Sequence, residues 1–553
     1  MARTALLRYF NEAPDPAWRT APPPSAPLPP LPAVNPWDDT ALGVSVGLDE
    51  TGQHDGGDVT IAAADRCEHT LLLGKTGQGK SNMLLQMIAQ DARAGRGCCV
   101  LDAHGKLVED ALATIPFWRE DDVILLDCAD DDWPFGLNFF QSPVGATPRE
   151  KAQLIDQVLQ AFAKGWGGGW AGSAETWLKV CAWTFMENRC GTMAMIPRLL
   201  TDREYRAAFL SRIQDIATRD RWAAAINPKT GAARIDNLEP ILTRLYKFLG
   251  NPLVANIVGQ EKTTLDFDRW MADGKIVLIK LPEGGKYGIG KEAVGLLGTM
   301  LLQLIVQAGY GRAEGSVLWP VYLDEFQHYA TPDIPEILQN LRKYGVGCVL
   351  STQSFANVGD EAIRDRLMGA GSVICYQVTE KDARVVAGAF RHGLRLPEDW
   401  REEVTRHGAG PYRYETREMI YHRPSKAEIA DRLANLRTLV GIGRSLVRTN
   451  EGEYVVATPN MAREPGGDPR LIASRSLVVR RSRSRYCRPR HLVEREMRRA
   501  LLPDAKRTGE GDADCFADVH PVEASPAVSP AQAPAVTRRR QRLSPDDRGD
   551  TPE

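Results

Sequence analysis

The chain has 553 residues, 43% of them hydrophobic, and 69 Lys/Arg against 71 Asp/Glu leave a formal net charge of −2. Such a length exceeds one ordinary domain and the apolar share is ample for buried cores, so two or three packed units with tails are expected. A near-neutral total excludes a polycation that binds nucleic acid with its whole surface, and ten cysteines without a CxxC pair point to reduced, structural thiols.

In chain order, residues 14–36 hold ten prolines, including Pro22-Pro23-Pro24, and cannot build a packed core. Residues 1–40 are therefore expected to be a disordered, partly polyproline II lead-in, and no signal peptide is expected there. Leu71-Leu72-Leu73 predicts a short buried strand and Asn82 to Gln90 the start of a helix. Between them stand Gly74, Lys75, Thr76, Gly77, Gln78, Gly79, Lys80 and Ser81, a G-x4-G-K-S phosphate loop in the strand-to-helix setting that the motif requires. The glycines let consecutive backbone N–H groups and the helix N-terminus face a polyphosphate. Lys80 is expected on the β- and γ-phosphates of ATP, the Ser81 hydroxyl on Mg²⁺, and Asn82 among the nucleotide-binding residues.

Further strands are predicted at Cys98–Asp102 and Asp122–Asp127, then helices at Gln153–Phe162, Ala174–Phe185, Asp202–Ile213 and Leu238–Phe248. Gly165 to Trp170 joins the first two helices. Strand patterns return at Lys275–Lys280, Ser316–Leu323, Gly347–Ser351 and Ser372–Gln377. The apolar run Val294–Gly309, interrupted by Gln303 and Gln307, predicts a buried helix rather than a bilayer span. An α/β fold follows, with a parallel-rich sheet and an inserted helical segment. Expected limits are 41–145 and 263–445 for the two parts of the motor domain and 146–262 for the all-alpha insertion. A basic extension over 446–502 and a disordered tail over 503–553 complete the plan.

Val321-Tyr322-Leu323-Asp324-Glu325 is a strand ending in two carboxylates. Behind a phosphate loop, Asp324 would hold the Mg²⁺ shell and Glu325 would polarise the attacking water. The strand ending Ser351-Thr352-Gln353 would bring Gln353 to the γ-phosphate as a sensor of hydrolysis. No N-K-x-D guanine signature occurs, which argues against a GTPase. No second motif set follows residue 380, which favours an oligomer whose neighbours complete each site.

The phosphate loop, Leu101-Asp102-Ala103-His104-Gly105-Lys106, Gly136-Leu137-Asn138, Leu323-Asp324-Glu325-Phe326-Gln327 and Ser351–Ser354 together resemble the HerA/FtsK superfamily. Within it, residues 45–390 look like the conjugative type IV secretion coupling proteins of the TraD/TraG group. That resemblance implies a RecA-like P-loop motor with an all-alpha domain, working as a homohexamer that hydrolyses ATP and moves DNA. A relaxase and secretion-channel proteins are the implied protein partners. It also places Asp102 and His104 on the strand beside the phosphate loop. Relatives usually begin with transmembrane helices, and none is read here, so a cytoplasmic protein, peripheral at a membrane through its partners, is expected. Gln377 stands where relatives often carry arginine, so Arg364 in Ile363-Arg364-Asp365-Arg366 becomes the candidate trans arginine finger.

Two segments are locally basic. Residues 146–262 hold 16 Lys/Arg against 11 Asp/Glu, with Arg198, Arg203, Arg206, Arg212, Arg219 and Arg221 among them. Residues 470–500 hold 11 arginines against two glutamates. Either could contact DNA backbone without reading bases, and the second suits anionic membrane or acidic partners equally. The sequence supports a DNA-stimulated ATPase and translocase first. An ATP-dependent switch or scaffold acting on a protein partner is the alternative.

Overall fold

The computed structural model describes residues 35–501, apart from 50, 54–55, 143–144, 167–171, 214, 226–237, 287, 330–339, 359–360, 409–412 and 462–472. Most of the proline-rich lead-in, most of the Gly165–Trp170 link and the tail over 503–553 lie outside the described residues.

Thirteen strands are described: β1 (Thr40–Ser45), β2 (Asp58–Ile61), β3 (Thr70–Leu73), β4 (Cys98–Asp102), β5 (Val123–Asp127), β6 (Ile276–Lys280), β7 (Val321–Leu323), β8 (Cys348–Thr352), β9 (Ser372–Cys375), β10 (Trp400–His407), β11 (Tyr414–Tyr421), β12 (Arg444–Arg448) and β13 (Glu453–Ala457). Eleven form one sheet in the order β2-β1-β13-β12-β9-β3-β8-β7-β4-β6-β5. The seven from β9 to β5 are parallel. The other four add an antiparallel flank through β12 on β9. Among the described residues, strands β10 and β11 pair only with each other.

Parallel strands are buried on both faces, and their side chains alternate between two apolar layers. Leu72, Val100, Ile276, Tyr322 and Val349 face Met83, Leu84, Met87 and Ile88 of the Lys80–Arg93 helix. Leu71, Leu73, Leu101, Ile279 and Leu350 face the opposite layer, which contains the Lys291–Tyr310 helix. That helix is long and apolar enough to cross a membrane, yet 78% of its most apolar window is buried in the protein. Strand β7 starts at Val321 rather than Ser316, because Pro320 has no N–H to extend the ladder.

All regular elements described between β5 and β6 are helical, from Pro148–Trp166 to Phe267–Ala272. Asp202, Asn251 and Asp266 cap three of them through backbone N–H groups. Their apolar side chains continue the sheet's second layer, so Phe162, Trp177 and Trp222 share one core with Leu71.

Two corrections concern the layout. Asp102 does not end a strand beside β3: β8 and β9 flank β3, and β4 lies next to β7. The chain crosses over two sheet positions before β4, so neighbours in sequence are not neighbours in the sheet. Residues 446–457 are not part of an extension either, because β12 and β13 close the antiparallel flank.

A buried charge network ties the sheet together at the end away from the phosphate loop. Asp91, at 0% exposure, accepts from Arg66 at 2.6 and 3.1 Å and from Arg96 at 2.7 Å, and the Tyr322 hydroxyl donates to it as well. Arg66 also donates to the Tyr322 oxygen and to Thr40 Oγ1, each at 2.8 Å. The helix that follows the phosphate loop is thereby bonded to β7, the strand that presents Asp324 and Glu325.

Candidate nucleotide site

Because β9, β3, β8, β7 and β4 are parallel and in register, their C-terminal ends share one edge of the sheet. Ligand sites in such sheets form there. Gly74 follows β3, Gln353 follows β8, Asp324 and Glu325 follow β7, and Tyr376 follows β9. The structure thus brings the phosphate loop, the acidic pair and Gln353 to one edge.

The loop is packed tightly from one side. A Cβ on Gly74 would lie 2.6 Å from Tyr376 Cβ, and one on Gly79 would lie 3.0 Å from the Tyr376 ring. Gly79 also has φ +122°, which side-chain-bearing residues rarely adopt. Tyr376 is 1% exposed and forms a wall behind the loop that sequence reasoning missed. Its one sequence signal is an aromatic at the tip of an apolar run.

Lys80 is 7% exposed and its Nζ donates to Gly74 O at 2.5 Å and Lys75 O at 3.4 Å. Burial lowers the ammonium's proton affinity, against the pull of Glu325 and Asp324. Lys75, Thr76, Gly77 and Ser81 are exposed, whereas Gln78 is buried. Asn82 does not face the loop's cradle with its side chain. Its Nδ2 donates to Pro459 O at 2.6 Å and its Oδ1 accepts from Met461 N at 2.8 Å, pinning the segment after β13.

Opposite Lys80, three carboxylates crowd the edge. Asp102 is engaged locally, accepting from His104 N at 2.8 Å and Val108 N at 3.1 Å at the start of the next helix. Asp324 is 7% exposed, and its carboxyl is pushed up to about 6, first by burial and then by Asp102 and Glu325. A buried carboxylate whose charge is so poorly tolerated, and which pulls on the Lys80 ammonium, is a hard oxygen donor of the kind a divalent cation takes. Ser81 and Asp324 are the residues that fit Mg²⁺ here.

Glu325 is 5% exposed and has φ +49°, uncommon for a residue with a side chain. Its Oε1 accepts from Gln353 Nε2 at 2.6 Å and its Oε2 from Gln327 Nε2 at 2.7 Å. Gln353 Oε1 in turn accepts from Thr76 Oγ1 at 2.8 Å. One hydrogen-bonded chain therefore runs from the phosphate loop through Gln353 to the carboxylate. Gln327 was not singled out from sequence, although it stands inside the Leu323–Gln327 motif.

Arg364 lies on the short Glu361–Leu367 helix, half-buried, and its Nε donates to Val358 O at 2.7 Å. Gln377 donates to Ala434 O at 2.8 Å, a structural contact.

The family model described as the DNA-binding domain of type IV secretion-system coupling proteins matches residues 55–212. The chain resembles type IV secretion coupling proteins. No curated protein matches it. Among solved structures, the plasmid coupling protein TrwB with a non-hydrolysable ATP analogue is 14% identical, with a TM-score of 0.48 over 79% of this chain and 97% of that one. The unbound conjugative coupling protein TrwBdeltaN70 is also 14% identical, with a TM-score of 0.47 over 78% and 91%. VirB4 of Thermoanaerobacter pseudethanolicus is 13% identical, with a TM-score of 0.41 over 75% and 96%.

The two basic segments differ from the expectation of open cationic faces. Arg206 is buried at 3% exposure, bonded to Leu199 O and Leu200 O, and lies over the Trp222 ring. Arg198 pairs with Asp202. Arg203, Arg212, Arg219 and Arg221 remain exposed. In the C-terminal run, Arg481 pairs with Glu120 at 3.0 Å and with Asp121, Arg483 with Asp130 at 2.7 Å, Arg488 with Glu496, and Arg490 with Asp131. The Arg475–Tyr486 helix covers β5, the outermost strand of the sheet, and Ser482 Oγ accepts from Leu125 N at 2.9 Å. That bond satisfies an edge N–H that would otherwise be open to another chain. Much of the arginine run is thus engaged within the fold.

Proposed function

We propose that the chain is an ATP-hydrolysing motor of the coupling-protein type that moves DNA as a homo-oligomeric ring. The observation that carries the reading is the convergence of Lys80, Asp324, Glu325 and Gln353 on adjacent strand ends, with Gln353 bonded to both the loop and the carboxylate. In this reading the loop's N–H groups and Lys80 bind the β- and γ-phosphates. Ser81 and Asp324 would hold Mg²⁺, which would supply neutralisation of charge on the phosphate oxygens. Glu325 accepts a proton from the attacking water. When the γ-phosphate leaves, Gln353 exchanges partners between Thr76 and the phosphate, which relays the change to β8. Arg364 acts across the ring on a neighbour's site, once its bond to Val358 O is released. The motor is proposed to span 41–145 and 263–445 together with β12 and β13, and 146–262 to be its helical insertion. A relaxase or secretion channel would receive the DNA, with the protein in the cytoplasm.

A second reading, an ATP-dependent switch acting on a protein partner, is favoured by one observation. The ion pairs of Arg481, Arg483, Arg488 and Arg490 leave fewer cations for DNA than the sequence offers. Steady-state hydrolysis with and without single- and double-stranded DNA separates the two. Stimulation by either form supports the motor. Turnover unchanged by both, with no binding at low salt, rejects it in favour of the switch.

A further inference from the structure

We propose that Gln327 is a positioning residue that holds the Glu325 carboxylate in the orientation from which it deprotonates water. The inference rests on Glu325 being the base, as proposed above. Beyond β7 the chain takes the left-handed conformation at Glu325 and turns into the short Phe326–His328 helix. His328 N donates back to Glu325 O at 3.0 Å and Tyr329 N to Phe326 O at 2.9 Å, so the turn is fixed at both ends. It returns the Gln327 side chain to the residue two positions before it.

A carboxylate only accepts, so the amide nitrogen of Gln327 must face Glu325 Oε2, as the 2.7 Å contact has it. With Gln353 on Oε1, both oxygens are held by side-chain amides and the carboxylate plane is fixed. The two amides are not equivalent. Gln353 is shared with Thr76 of the phosphate loop, where nucleotide must enter, and is the arm that has to move. Gln327 comes from the same turn as the base and keeps hold of it. Its Oε1 is buried and has no hydrogen-bond partner among the described residues, which leaves an acceptor beside the base for the second hydrogen of the attacking water. In the step so prepared, one water O–H bond breaks and its proton goes to Glu325. The water oxygen bonds to the γ-phosphorus, and the bridging P–O bond breaks with its electron pair leaving on ADP.

The test uses the full chain, steady-state ATP hydrolysis with Mg²⁺, and calorimetric binding of a non-hydrolysable ATP analogue. Gln327→Glu keeps the size and removes the donor. It is expected to lower kcat by about 10- to 100-fold, as misplacement of a reacting group does, with KM and analogue binding within about twofold of the parent. The deficit should shrink as pH falls from about 8 to about 6, because a protonated carboxyl beside Glu325 regains an O–H donor. Gln327→Asn, whose amide falls short, should show the same loss of kcat without recovery at low pH. Parental kcat in both variants overturns the proposal, and so does a loss that follows analogue binding at every pH. Glu325→Gln is measured alongside. If it turns over normally, the base assignment fails. If it is inactive while both Gln327 variants are normal, only the positioning role fails.

Discussion

The nucleotide edge and the C-terminal arginine helix are both rich in charge, and they use it in opposite ways. At the edge, Lys80, Asp324 and Glu325 are nearly buried and carry no mutual ion pair; Lys80 is held by backbone carbonyls and Glu325 by side-chain amides. On the Arg475–Tyr486 helix, arginines are half-buried against acidic residues of the 120–131 region and secure the outer strand. Charge that is left uncompensated inside a fold marks a place where something else must bind. Charge matched within the fold is structural. The contrast divides two segments that look equally functional in the sequence.

The largest effect should come from the edge. Glu325→Gln should bind ATP and lose about 10²–10⁴ in turnover, since it removes the proton acceptor and one of the two amide bonds but leaves the phosphate loop intact. Lys80→Ala should instead weaken nucleotide binding itself. Calorimetry with an ATP analogue, paired with turnover, reads the difference. A Glu325→Gln protein that hydrolyses normally would erase the special status of this edge.

On the opposite side, removing residues 473–553 should cost the fold before it costs any binding. Truncation exposes β5, leaves Leu125 N without Ser482 Oγ, and strips Arg481 and Arg483 from Glu120 and Asp130. Breaking partly buried ion pairs and uncovering an edge favours aggregation. Thermal melts and size-exclusion profiles should show loss of the native species. A soluble truncated protein with parental melting would return the segment to the role of a free extension.

Asp324 gives a pH test of the edge. Its folded value, about 6, lies above the ordinary 3.8, so the folded state binds more protons than the unfolded one between those values. Without nucleotide or metal, this group's contribution to stability therefore rises as pH falls from above 6 towards 3.8. The penalty at neutral pH is about 3 kcal/mol by linkage. Asp324→Asn should therefore raise the melting temperature of the metal-free protein at pH 8 and abolish Mg²⁺-dependent turnover. An unchanged or lowered melt would mean that the carboxylate is already compensated.

How far the sequence could be read follows from the same contrast. Strands β3 to β9 were legible because parallel strands buried on both faces appear as short apolar runs ending in a turn. The convergence of Gly74–Ser81, Asp324, Glu325 and Gln353 on one edge was legible because each follows such a run. The ion pairs of Arg481 and Arg483 were not, because their partners lie 361 and 353 residues away, and local composition shows only the arginines. The place of β12 and β13 in the sheet was hidden for a related reason: their partners, β9 and β1, are distant in sequence. Gln327 escaped because a polar residue after an acidic pair looks like any strand-to-loop transition until the left-handed turn at Glu325 is known.

The smallest effect concerns arginines that the ion pairs leave over. On the Arg475–Tyr486 helix, Arg480 and Arg485 are exposed and have no ion pair among the described residues. If DNA touches this helix at all, these two supply the bonds to its phosphates, since Arg481 and Arg483 would have to break existing bonds first. Removing one arginine–phosphate bond should lower the slope of log affinity against log salt by about 1. Arg480→Ala with Arg485→Ala should thus reduce the slope by about two while leaving the melting temperature and basal hydrolysis unchanged. Arg481→Ala should do the reverse, lowering stability with little change in slope. Equal slopes in the parent and the double variant would place DNA on the exposed Arg203, Arg212, Arg219 and Arg221 of the helical segment instead, where the same measurement can be repeated.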